Sequence, residues 1–311
     1  MYWGSVRFFK NLILLCVIVM IAVPTGVAIG LGKENTNYRQ LIEQYQAELA
    51  QQELKLQETQ GAGYIVSPQY RQLFSGASLE YQLEYPELYV ESGTFTEEEG
   101  GKPVIYLTFD DGPSENTERV LDILKENNIK ATFFVVNNNI ESQQHLYKRI
   151  ADEGHTLGIH TYSHQYQKIY SSVEEYLADF NRIYEKVYSL TGVKPTVFRF
   201  PGGSINNYNQ HIYFELIAEM LRRGFTYYDW NVSSGDAGET YTSGAIYNAV
   251  VNGVGSKSKS IVLMHDSSTK NATVKALPEI IAFFSETHEF RALDNSVKPA
   301  SFTYKDNNIS N

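Results

Sequence analysis

The stretch TFDDGPS, from Thr108 to Ser114, sets two carboxylates side by side and follows them at once with Gly112 and Pro113. Asp-Gly is a common turn pair, and a surface turn carries two acids at little cost. The chemical alternative is that a sharp turn at Gly112 splays the side chains, so that one acid binds a metal while the other stays free as a base. A second stretch, HTYSH, offers imidazoles for the first role. His160 and His164 stand at i, i+4, a spacing that on one helical turn aims both rings at one point. Two exposed loop histidines are the plainer reading. Two imidazoles and a carboxylate, with further positions open, are the donor set of a catalytic rather than a structural zinc site.

The elements that must position these residues alternate. Buried-strand runs read VIYLTF, ATFFVV, HTLGIH, TVFRF, FTYYDW and SIVLMH, and helical patterns fall near 117–127, 143–153, 173–190, 214–223, 244–251 and 276–287. The clearest helix carries Val173, Tyr176, Leu177, Phe180, Ile183, Tyr184, Val187 and Leu190 on one face, and Gly192 stops it. Six or seven strand-helix alternations predict a parallel α/β fold, whose chemistry gathers at the C-terminal strand ends. Asp110, Asp111, His160, Arg199, Trp230 and His265 all fall at or near those ends.

Five motifs then appear in order: TFDDGPS, HTYSH, RFPGGS from Arg199, DWNVSSGDA from Asp229 and LMHD from Leu263. In these the chain resembles the polysaccharide deacetylase family (NodB-homology, family-4 carbohydrate esterases), over roughly residues 103–290, and among them the membrane-anchored peptidoglycan deacetylases. The resemblance implies an α/β fold, an irregular (β/α) barrel of about seven parallel strands. It implies that Asp111, His160 and His164 hold one divalent metal, with Zn2+ expected and Co2+, Ni2+, Mn2+ or Fe2+ as alternatives. It makes Asp110 the general base, Arg199 the group that orients it, His265 the general acid and Asp236 the partner that orients and charges His265. A backbone N–H near Gly202 would help to stabilise the oxyanion, and Leu263 would line the acetyl pocket. The chain departs from its relatives at Gly202, where an aromatic often follows the proline, and at Ala237, where many carry tryptophan. Both changes are expected to open the groove.

The implied reaction is metal-dependent hydrolysis of N-acetyl groups on a cell-envelope polysaccharide, with peptidoglycan N-acetylglucosamine or N-acetylmuramic acid as substrate. The alternatives are an O-acetyl esterase on xylan or a wall polysaccharide, and a catalytically silent glycan-binding membrane protein. No Gly-x-Ser-x-Gly elbow offers a serine nucleophile.

The resemblance implies an acetylated glycan as partner. A formal charge of −10 and the lack of a Lys/Arg-rich run argue against nucleic acid. Cys16 is the single cysteine, so no intrachain disulfide forms. Residues 11–32 carry no charge between Lys10 and Lys33, long enough to cross a hydrocarbon core of about 30 Å. Arg7 and Lys10 favour leaving the N-terminus in the cytoplasm; a signal peptide cleaved near Ala28 or Gly30 competes with this anchor. Residues 38–60 read as an amphipathic helix or short coiled coil. The expected organisation is 1–32 anchor, 33–101 extracytoplasmic spacer and connector, 102–295 deacetylase domain and 296–311 tail, with the oligomeric state open. His145, His155, His211, His288, Thr108, Asp266, Trp230, Tyr184, Tyr227 and Tyr228 are expected to be structural.

Overall fold

The structure, a computed structural model, describes residues 80–96, 101–238 and 242–302. The anchor at 11–32 and the helix at 38–60 lie outside the described residues. Among the described residues no helix is long and apolar enough to cross a membrane.

A short helix, α1 (Glu80–Leu83), precedes β1 (Val104–Asp110), α2 (Glu115–Glu126), β2 (Thr132–Val135), α3 (His145–Asp152) and β3 (Thr156–Ile159). Then come α4 (Tyr166–Ile169), α5 (Val173–Thr191), β4 (Val197–Phe198), α6 (Tyr213–Arg222), β5 (Thr226–Tyr227) and β6 (Val232–Ser233). The series ends with α7 (Ser243–Val254), β7 (Lys259–His265), α8 (Asn271–Phe284) and β8 (Glu289–Phe290). All the strand pairs are parallel, in the order β5-β4-β3-β2-β1-β7-β6, and β8 adds to the start of β1.

That order forces the sheet to curl. Flat, seven strands at about 4.8 Å spacing would hold β5 and β6 about 29 Å apart. Yet the chain runs from Tyr227 to Val232 in five steps, a reach of at most about 18 Å. The two edges must therefore approach each other, and the sheet is an open barrel. The expected alternation holds, with differences. TVFRF and FTYYDW each pair over two residues only, and β6 and β8 follow other strands too briefly to show a period. The last helix begins at Asn271 rather than 276, with Pro278 inside its span.

Parity sorts each strand. Ile105, Leu107 and Phe109 of β1, Phe133 and Val135 of β2, and Val262 and Met264 of β7 join the core beneath the helices. Their alternates Val104, Tyr106, Phe134, Val197 and Ile261 form a smaller cluster inside the barrel. The inner series ends in Thr108 and Asp110 on β1, Leu263 and His265 on β7, and Arg199 after β4, because side chains two apart share a face. Gly158 of β3 fits this interior, since a Cβ there would lie 2.5 Å from the Phe134 ring.

Residues 80–96, read as connector, pack into the domain. Leu88 is fully buried, and the buried Arg223 donates to the carbonyls of Tyr81, Glu84, Tyr85 and Leu88, satisfying the end of α1. Residues 296–302, read as tail, also pack: Val297 and Ala300 lie against the inner cluster, and the Phe302 N–H donates to Asp229.

Candidate metal and catalytic site

The two acids of TFDDGPS do part company, by a route other than a turn at Gly112. Asp111 itself takes a positive φ of 71°, so consecutive side chains leave the end of β1 in different directions. Gly112 is demanded by space: a Cβ there would lie 2.5 Å from both oxygens of the Asp266 carboxylate. Asp266 is fully buried, accepts from the Thr117 hydroxyl, and is pushed up to about 7, chiefly by burial. Its residue class is as expected, a scaffold under the turn.

HTYSH is not a helical turn. Residues 160–165 form a loop in which Thr161 and His164 adopt positive φ values of 97° and 54°. The buried Asp179 of α5 holds this loop from below, its carboxylate accepting the N–H groups of Tyr162 (2.5 Å) and Ser163 (3.0 Å). The rings nevertheless converge. His164 Nε2 lies 3.2 Å and His160 Nε2 3.7 Å from Asp111 Oδ1, and one ligand atom from each of the three residues falls within 4.8 Å of the others.

The donor set fits a divalent cation on three counts. Asp111 Oδ1 is buried without a hydrogen-bond partner, a position that costs free energy unless something else meets it. His160 Nδ1 faces the Arg199 carbonyl at 2.8 Å, which fixes the proton there and leaves Nε2 with its lone pair toward Asp111. Burial, and then the neighbouring His164, push His160 down to about 3, so the ring is neutral.

Asp110 sits beside this cluster, with Oδ2 3.7 Å from His160 Nε2. Its Oδ1 accepts from Arg199 at 2.8 Å. Arg199 has no exposed surface and spends its other donors on the Tyr228 and Asp229 carbonyls and the Thr108 hydroxyl, while its guanidinium lies 4.3 Å over Phe134. Thr108 in turn donates to the Val262 carbonyl, so strands β1 and β7 set the guanidinium's position. Burial raises the Asp110 carboxyl against the lowering influence of Arg199.

On the neighbouring strand, His265 is the register partner of Asp110 across β1 and β7. Its Nδ1 meets Asp236 Oδ1 at 2.7 Å, and its own N–H and the Thr273 hydroxyl donate to Asp236 Oδ2. Burial would lower His265, but the Asp236 hydrogen bond and charge outweigh it and lift it to about 9. Asp236 is held below its ordinary range, burial being overcome by the same pair.

Leu263 is buried on the inner face of β7, two residues before His265. Gly202 is exposed at φ 76°, and among the described residues its N–H has no acceptor. The residues that sequence reasoning missed are Asp179, Thr273 and Asp229. Asp229 accepts from Ser204 N–H and Oγ and from Phe302 N–H, tying RFPGGS to the segment that follows β8. A carboxylate at 179 inside the apolar stripe of α5 is the signal that could have found the first. His155 is structural, accepting from the Ala131 N–H and pushed down to about 4 by burial. Trp230 packs edge-on against Phe302.

The family described as Polysaccharide deacetylase matches residues 97–219. The chain is 31% identical to a peptidoglycan-N-acetylglucosamine deacetylase of Bacillus cereus, over 65% of this chain and 73% of that protein. The catalytic domain of a peptidoglycan N-acetylglucosamine deacetylase from Eubacterium rectale is similar at a TM-score of 0.63 and 34% identity, covering 71% of this chain and 100% of that one. A polysaccharide deacetylase from Bacillus cereus is similar at a TM-score of 0.58 and 29% identity, over 66% and 99% of the two chains.

Proposed function

This chain belongs to the polysaccharide deacetylase family, and from that footing we propose that it hydrolyses N-acetyl groups on a cell-wall polysaccharide, the N-acetylglucosamine or N-acetylmuramic acid of peptidoglycan. The observation that carries the reading is the Asp111–His160–His164 cluster with a second, Arg199-held acid alongside. Binding alone needs no spare carboxylate next to a ligand set, and no acid on its other side.

Asp111, His160 and His164 would hold the cation, zinc by donor chemistry, though availability decides among similar metals. A bound divalent cation supplies Lewis acidity and brings the pKa of water from 15.7 to about 7. Asp110 Oδ2 takes the proton of the attacking water, while Arg199 keeps the carboxylate in one orientation through a planar fork that lysine lacks. The Gly202 N–H donates to the acetyl oxygen as negative charge develops on it. Leu263 bounds the acetyl methyl. His265, charged near neutral pH through Asp236, gives its Nε2 proton to the amine nitrogen, which leaves poorly unless protonated.

The apolar run at 11–32 supports tethering in the cell membrane with the domain outside, where wall glycan lies within reach. The full-length chain should release acetate from N-acetylated wall glycan, lose that activity with a chelator, and regain it on adding Zn2+. Acetate release from O-acetylated xylan alone would reassign the bond to an ester, and a metal-loaded chain inert on every acetylated glycan would end the reading.

A further inference from the structure

The groove expected to stand open at Gly202 is furnished from elsewhere in the chain. A Cβ on Gly202 would lie 2.8 Å from the ring of Tyr166, at the start of α4. Gly202 and Gly203 hold positive φ values of 76° and 88°, so this turn is glycine in conformation as well as in space. The Tyr166 ring therefore rests on the bare backbone of the oxyanion candidate. Its edge also meets His164 at 5.2 Å and 90°, and among the described residues no partner takes its hydroxyl.

Tyr208 extends that surface. Its ring lies 5.0 Å from Tyr166, and it is 50% exposed. The loop that presents it is knitted from within. Asn206 Nδ2 donates to the Pro201 and Gly203 carbonyls, Asn206 Oδ1 accepts the Tyr208 N–H, and the buried Asn209 bonds both the Asn206 N–H and the Ser204 carbonyl. An aromatic held out to water on a cross-tied loop, one ring removed from His164, is a preorganised surface rather than an idle one. Pyranose rings present apolar C–H faces with hydroxyls at their rims, and aromatic faces with wet edges match them.

We propose that Tyr166 and Tyr208 form the stacking platform for the pyranose ring of an N-acetylated hexosamine, presenting its acetamido group to the Gly202 N–H and the Asp111–His160–His164 cluster. The proposal rests on the deacetylase reading and adds the residues that choose the sugar. They are binding residues, so their loss falls on KM more than on kcat.

The test uses the full-length, zinc-loaded chain with N-acetylglucosamine oligomers, measuring acetate release for the parent, Tyr166→Ala, Tyr166→Phe and Tyr208→Ala. Each alanine variant should raise KM about five- to tenfold with kcat within about twofold. Tyr166→Phe, which keeps the ring, should recover most of the Tyr166→Ala loss. Because Tyr166 touches His164, bound zinc is counted in every variant; Tyr208 touches no candidate ligand and decides the matter if Tyr166→Ala sheds metal. An unchanged KM in Tyr208→Ala, or equal losses in the alanine and phenylalanine variants at 166 with full zinc, overturns the platform. Calorimetric titration of the same oligomers into Asp110→Asn and Asp110→Asn/Tyr208→Ala gives a readout independent of turnover. If the parent releases no acetate, the reaction assignment fails, while a five- to tenfold affinity difference in that titration still upholds the platform and equal affinities still sink it.

Discussion

Two imidazoles stand on opposite sides of Asp110 in one parallel sheet, and burial acts on both in the same direction. His160, after β3, is driven down to about 3, whereas His265, ending β7, is lifted to about 9. What differs is the group behind each ring. His160 leans on an uncharged carbonyl, that of Arg199, and has a second imidazole for a neighbour. His265 leans on the Asp236 carboxylate, itself pinned by a backbone N–H and by Thr273. A buried imidazole thus takes its charge from its far-side partner, and one fold can make a neutral ligand and a charged acid from the same residue type.

The comparison breaks most completely on the β3 side. His160→Ala should lose bound metal and with it all measurable acetate release, checked by metal analysis of the purified chain. Asp110→Asn tests the position between the two imidazoles; metal should remain while kcat falls about 10²- to 10⁴-fold. Moving to the β7 side, Asp236→Asn removes the charge behind His265. A group whose pKa is raised does its work below that value and loses it as pH climbs through it. The parent should therefore show an alkaline limb near the His265 value of about 9. In Asp236→Asn that limb should move acidward, toward the ordinary histidine range, in a kcat–pH profile at fixed metal. A limb that stays put would detach His265 from the proton transfer. The smallest effect should come from Asp179→Asn, which removes the charge and one acceptor oxygen from the anchor of the 160–165 loop: metal affinity falls about 10- to 100-fold, read by competition with a chelator, with the alkaline limb unmoved.

Much of this was legible because strand ends in a parallel sheet carry the chemistry, and the sequence marks those ends with Asp110, His160, Arg199 and His265. The motifs also carried the family. What escaped was local conformation. An i, i+4 histidine pair suggested a helical turn, but the convergence comes from a loop with two residues at positive φ and from Asp179, remote in sequence; spacing alone cannot distinguish these. Gly112 looked like a turn maker, whereas its smallness serves Asp266, 154 positions later, and no local pattern encodes that approach. The strands β6 and β8 are two residues each, too short for any period to register. Glycine at 202 reads as empty space until the fold brings Tyr166 against it.

The odd-even sorting along β1 and β7 carries a cost for the molecule's evolution. Inward and outward residues alternate along both strands, as teeth on a single comb, so shifting either strand by a single position would trade Asp110 for Phe109 and His265 for Met264 at the mouth. A change of one residue in either strand turns its reactive side chain to the helix face, and a change of two restores the face but carries it about 7 Å from the partner that tunes it, Arg199 or Asp236. Insertions should therefore collect in the turns beyond the barrel's mouth, and the seven-residue strands themselves should keep their count.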